Sequence, residues 1–168
     1  DLDELGYNPV FRVFNASLVV PHRRKRIYIV ALPKPYTFEF PEIGQREHRL
    51  ADILEDIQDD TYTISDLLWK SHIARTARNK KKGNGFAHNL ADLNGIASTL
   101  TARYGKDGRE NLIPQTGKNP RMLSPRECAR LMGFPDTYKL PETKTPAYRQ
   151  LGNSVCVPIV ELIAEALL

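Results

Sequence analysis

A chain of 168 residues with 41% hydrophobic residues is sized for one domain, or a small domain with part of another, around a modest core. No apolar run approaches the ~18 residues of a membrane span and no secretory signal opens the chain, so no membrane partner is expected. Two cysteines, Cys128 and Cys156, and the scattered His22, His48, His72 and His88 give neither a disulfide framework nor metal-ligand spacing, which suits a reducing cytoplasm and no structural metal.

The chain begins DLDELGYNPVF without a methionine and reads as a piece of something longer or as a processed product. YNPVFRVFNASLVV predicts strand, turn and strand. HRRKR then leads into IYIVAL, an apolar run of strand length that suits a strand buried on both faces of a mostly parallel sheet. Pro33, Pro35 and Pro41 interrupt the pattern. From there to about Pro120 no long amphipathic helix is expected, only short strands and loops, with Leu50 to Ile57 a short helix. GIASTLTARYG and ENLIP read as strands around a KDG turn.

The net charge of +4 conceals a polarity along this middle region. Glu39 to Asp66 holds nine acids and two arginines, a net −7. Lys70 to Lys82 holds six bases (Lys70, Arg75, Arg78, Lys80, Lys81 and Lys82) and no acid. Such a basic block can track a phosphate backbone and release counterions, or it can be a solvated loop.

The last third is more regular. In SPRECARLMGFP, Ser124 caps a helix, Pro125 suits its first position and Glu127 completes a capping box; Gly133 and Pro135 end it. In QLGNSV, Gly152 permits a tight turn, and Asn153 and Ser154 offer side-chain hydrogen bonds just before a helix, where capping is one available role. VPIVELIAEALL predicts an amphipathic helix with Ile159, Leu162, Ile163, Ala166 and Leu167 on one side.

HRRKRIYIVA, STLTARYGKDG, PRMLSPRECARLMGFP and YRQLGNSV, in this order, resemble the C-terminal part of bacterial DNA (cytosine-5) methyltransferases. The resemblance covers most of the chain and is most specific in its last two segments. It implies an α/β fold: the C-terminal part of a Rossmann-like, S-adenosylmethionine-dependent methyltransferase with an inserted, loop-rich DNA-recognition domain. Residues 1–35 would close the catalytic domain, 36–135 would form the recognition domain, and 136–168 would return to the catalytic domain.

The family's chemistry, as the resemblance implies it, adds a cysteine thiolate to carbon 6 of a flipped cytosine. A glutamate stabilises the ring nitrogen and carbon 5 takes the methyl group. Flipping costs roughly a few kcal/mol. The nucleophile's Pro-Cys pair, the Glu-Asn-Val motif and the glycine-rich cofactor loop are all absent from this sequence. Cys128 lies between Arg126 and Arg130 but mid-helix among apolar residues, where cysteine behaves as a small core residue. This chain alone is therefore expected to be inactive. The nucleophile and most of the S-adenosylmethionine site would lie on an N-terminal segment or partner subunit.

Residue by residue, Arg24 and Arg26 match the family's two arginines separated by one residue. The second contacts the flipped cytosine and the first helps hold the active site. His22 stands where the family has glutamine. Asn153 and Ser154 match positions near the methionine part of the cofactor. Thr99, Leu100 and Arg103 are expected to read bases, unless Thr99 and Leu100 are a buried strand. Arg121, Arg126 and Glu127 match the family's motif that organises the recognition domain, Glu127 being structural through its cap; Arg121 with Lys80, Lys81 and Lys82 is also expected to contact duplex DNA. The expected setting is a bacterial restriction-modification system; the alternative is a sequence-selective DNA-binding module without catalysis.

Overall fold

The computed structural model describes residues 1–85 and 87–168. Strand β1 (Tyr7–Asn15) pairs antiparallel with β2 (Lys25–Pro33), in a register that sets Phe11 opposite Ile29 and Asn15 opposite Lys25. The second strand expected before Pro21 does not form. Asn15 instead caps a 3-10 turn, Ala16–Leu18, with its side chain accepting from the Ser17 N–H. Among the described residues the sheet has these two antiparallel strands, and the parallel neighbours expected for IYIVAL are not among them.

The alternation of a strand sorts this hairpin into two apolar faces. Val10, Phe14, Tyr28 and Val30 face inward and pack with Val20, Phe40 and helix α5 (Val157–Glu165), whose Ile159 and Ile163 fill the gap. Phe14 meets Tyr28 and Phe40 edge-on at 5.8 Å. Phe11 (72% exposed), Val13, Ile27 and Ile29 (61%) form the other face, which no described residue covers. Ala166 and Leu167, expected on the buried side of the last helix, are exposed beyond its end.

A second core gathers around helix α3 (Pro125–Leu131), with Leu50, Leu100, Leu123, Leu131, Met132 and Leu151 among its buried residues. The helix is as its sequence dictates: Ser124 accepts from the Glu127 N–H at 3.0 Å, and Glu127 accepts from the Ser124 N–H at 2.7 Å. Its C-terminus bonds Phe134 N–H to the Ala129 carbonyl and Gly133 N–H to that of Arg130, with Gly133 left-handed at φ 80°. A side chain at Gly133 would run into the Pro158 ring, so the glycine also lets α5 approach.

Helix α4 (Lys144–Asn153) packs on α3 and on the single turn α2 (Tyr104–Asp107). Tyr104 Oη accepts from the Leu123 N–H at 2.8 Å and Tyr148 Oη donates to the Leu123 carbonyl at 2.7 Å. Both polar groups of one buried residue are thus satisfied by two side chains, as burial demands. The strands expected in GIASTLTARYG and ENLIP are not there. That region is extended chain and turn, joined by single bridges such as Ile113 to Arg121 and closed by left-handed Gly108.

One long helix was not expected from the sequence. Helix α1 (Asp66–Lys81) starts at Ser65, whose side chain accepts from the Leu68 N–H, and ends among Arg78, Lys80 and Lys81, where positive charge suits the C-terminal dipole. Leu50–Ile53 is a single 3-10 turn where a short helix was expected. Among the described residues no helix is long and apolar enough to cross a membrane.

Candidate nucleic-acid interface

Three segments meet at one buried junction. The chain leading into β2 runs beside residues 97–100: Ala97 N–H donates to Pro21 O and Arg23 N–H to Ala97 O, each at 2.8 Å. Thr99 Oγ1 donates to Arg23 O at 2.6 Å. Arg24, 5% exposed, reaches through this junction and donates to Leu100 O (2.9 Å), Gly152 O (3.2 Å) and Ser154 O (2.8 Å). A planar fork aimed at three carbonyls suits arginine and no other cation. Gly152 is not in a turn, as its sequence context suggested, but inside α4. Its missing side chain lets the Thr101–Ala102 backbone lie against the helix, where a Cβ would collide.

Arg26 differs sharply from its neighbour. Its guanidinium is exposed and, among the described residues, donates to the adjacent Lys25 carbonyl at 2.7 Å. Thr99 is partly exposed beside the same junction. Leu100, expected to read a base or else to be buried, has a fully buried side chain that anchors its segment in the core. Arg103 is exposed and paired with Asp107 at 3.2 Å. Asn153, the last residue of α4, is exposed, while Ser154 caps that helix by donating to the Leu151 carbonyl at 2.8 Å.

Arg121 is not at the surface either. It is buried and forks onto Glu127, with both bonds at 2.8 Å, and Glu127 also accepts from the Glu55 and Ser124 N–H groups. A buried ion pair of this completeness holds the start of α3 to residues 54–55 and 121. Arg121 thus makes internal bonds, and Glu127 serves both that pair and the cap of α3. Arg130 pairs with Asp136 at 2.7 Å.

The basic block sits on α1 and the turn after it. Lys80, Lys81 and Lys82 are exposed at its C-terminal end. The inward side of the helix is held by polar groups: His72 Nε2 donates to the Gly108 carbonyl at 3.0 Å, and Thr76 Oγ1 pairs with His88 Nδ1 at 2.8 Å. Trp69 meets the His88 ring edge-on at 4.8 Å. An open cleft of about 480 Å³ lies between α1 and α2, lined by Arg75, Thr101, Arg103 and Arg109 with Asp107 and Glu110. Arg75 belongs to the basic block, but nothing in the sequence placed it or Arg109 beside Arg103.

Neither thiol is poised to react. Cys128 is fully buried, and burial followed by the Glu127 charge pushes its pKa well up. Cys156 is buried and pushed up to about 11 by the same desolvation. Among the described residues no cluster of three or more His, Cys, Asp or Glu is placed to hold a metal ion.

Comparison with known proteins agrees with this architecture. Residues 1–168 match the family described as C-5 cytosine-specific DNA methylase. The chain is 46% identical over 168 residues to the Type II methyltransferase M.NlaX of Neisseria lactamica, covering 98% of this chain and 53% of that protein. It is 45% identical to M1.ScrFI of Lactococcus lactis subsp. cremoris over 174 residues, covering 99% and 45% respectively. The chain thus spans about half the length of the curated relatives it matches. The solved structure of the S. pombe Dnmt2 methyltransferase shares the fold, with a TM-score of 0.75 at 20% identity over 99% of this chain and 58% of that one. A putative DNA modification methyltransferase from an E. coli prophage matches with a TM-score of 0.60 at 24% identity, covering 98% and 61%. The chain belongs to the C-5 cytosine-specific DNA methylase family.

Proposed function

We propose that this chain is the DNA-reading, C-terminal portion of a cytosine-5 DNA methyltransferase, completed by an N-terminal segment or subunit that carries the nucleophile and most of the cofactor site. The observation that carries the reading is the junction at Arg24. It seats the segment Thr99–Arg103 against the strand that presents an uncommitted Arg26. Arg26 donates to the carbonyl oxygen of the flipped cytosine, a role its planar, permanently charged fork suits. Thr99 and Arg103 face the duplex, and guanine O6 and N7 are the natural partners of an arginine fork. Lys80, Lys81 and Lys82, with Arg75 and Arg109, follow the phosphates.

S-adenosylmethionine supplies the methyl group when bound. The residues present fit its methionine end: Asn153 is exposed next to the Arg24 junction and Ser154 Oγ, while donating to Leu151, keeps lone pairs to accept with. In this reading residues 1–35 and 136–168 belong with the catalytic domain and 36–135 form the recognition domain. The bare face of Phe11, Val13, Ile27 and Ile29 supports a missing catalytic layer, because contiguous apolar faces are seldom left to water. It also speaks against a self-sufficient DNA-binding module.

The test is methyl incorporation into duplex DNA from labelled S-adenosylmethionine, for this chain alone, for the N-terminal half of a relative such as M.NlaX, and for the two mixed. Activity in the mixture alone is expected. No activity in a folded mixture, with tight site-selective binding by this chain alone, would favour the binding module.

A further inference from the structure

We infer that His22 is a positioning residue for the base-reading segment: it holds the Leu100 N–H while Arg24 holds the Leu100 carbonyl, which fixes Thr99–Arg103 in register with Arg26. The inference rests on the reading of that segment given above. Leu100 N–H donates to His22 Nε2 at 2.9 Å and Leu100 O accepts from Arg24 Nη1 at 2.9 Å. His22 and Arg24 are two residues apart in the chain that enters β2, and Arg26 follows at the same spacing. In extended chain that period places alternate side chains on one side. Arg23, between the two, meets the same segment through its backbone, donating to Ala97 and accepting from Thr99. One residue of the reader is therefore gripped at both polar groups by side chains of the strand that bears Arg26. This is the arrangement that Tyr104 and Tyr148 make around Leu123, here joining two segments far apart in sequence.

The bond fixes the chemistry of the ring. Nε2 accepts, so it carries no proton, and the neutral imidazole holds its hydrogen on Nδ1. Nδ1 is buried beside the Leu131 backbone, and burial, followed by the nearby Arg24 and Arg26 charges, lowers the pKa to about 3. A side chain chosen for packing alone would be apolar here; this one spends a ring nitrogen on a buried backbone donor. Glutamine, with a carbonyl oxygen, could take over that acceptor. Leucine would fill the space and orphan the Leu100 N–H.

The experiment compares His22→Gln and His22→Leu with wild type in the full chain, and then in the mixture with the N-terminal half. Nitrogen-15 NMR of the imidazole should report an unprotonated Nε2. Amide exchange at Leu100 should quicken by about tenfold or more in His22→Leu and stay slow in His22→Gln. In the mixture, discrimination between the preferred site and a site altered by one base pair should fall by about tenfold in His22→Leu and recover in His22→Gln. A ring protonated at Nε2, slow Leu100 exchange in His22→Leu, or discrimination left intact by faster exchange would each overturn the inference. If His22→Leu does not fold, the tautomer and His22→Gln decide. No methylation by the wild-type mixture would sink the reading of the previous subsection, and the tautomer and exchange results would still decide whether His22 holds Leu100.

Discussion

The start of α3 and the helix α1 both carry basic residues, and they use them in opposite ways. Around α3, Arg121 is buried and spends its fork on Glu127, and the longer-range Arg24 is likewise turned inward to three carbonyls. Along α1, Lys80, Lys81 and Lys82 stand in solvent, and polar and aromatic contacts of Asp66, Trp69, His72 and Thr76 hold the helix to the body. The motif-bearing charges Arg24 and Arg121 thus tie segments of the interior together, while the solvated charges lie on a helix with no distinctive sequence motif. A basic residue in a specific motif is not thereby a ligand contact; its burial decides.

Breaking the internal pair has the largest expected effect. Arg121→Ala strands Glu127 in the core and should destabilise the protein by about 3–5 kcal/mol, read as a large fall in the denaturation midpoint. An unchanged midpoint would mean the pair is not buried in solution. Arg24→Ala removes one cation from three carbonyls and should cost about 2–4 kcal/mol, with Arg24→Lys recovering only part of it.

Acid should act on the same junction. The folded value for His22, about 3, lies below its ordinary 6.5, so between these the unfolded chain binds more protons. Its contribution is therefore complete above about pH 6.5 and lost as pH falls towards 3. The difference in stability between wild type and His22→Gln should shift in that window and be flat above it. Urea titrations at several pH values measure this.

At the other extreme, replacing Lys80, Lys81 and Lys82 by alanine should leave stability within about 0.5 kcal/mol. DNA affinity should become less salt-dependent, by about 0.9 in the log–log slope for each phosphate that the variant no longer neutralises. An unchanged slope would remove the block from the interface.

The same contrast explains what could be read in the sequence. Helix α3 was legible to the residue, because its cap, proline, glutamate and closing glycine are local signals that act within one or two turns. The closing helix was legible from its apolar stripe. Helix α1 was not, because its inward side is Trp69, His72, Thr76 and Asn79 rather than an apolar stripe, so periodicity had nothing to detect. Ser65 followed by Asp66 was the one local clue. Residues 96–113 mimic strands because the chain is extended and rich in Thr, Ile and Leu, yet side chains and single bridges satisfy its backbone in place of a ladder. The inward turn of Arg24, Leu100 and Arg121 depends on partners up to 130 residues away, which no local pattern encodes.

The comparison between buried and exposed arginines is tested most directly by Arg26→Ala, measured in the completed enzyme for methyl incorporation and for thermal stability together. The Arg26 side chain is exposed and, among the described residues, reaches only the Lys25 carbonyl, so the midpoint should stay within about 0.5 kcal/mol of wild type. Methylation should fall by about a hundredfold. A variant that unfolds early, or that methylates at the wild-type rate, would contradict the assignment of Arg26 as the group this chain presents to the cytosine.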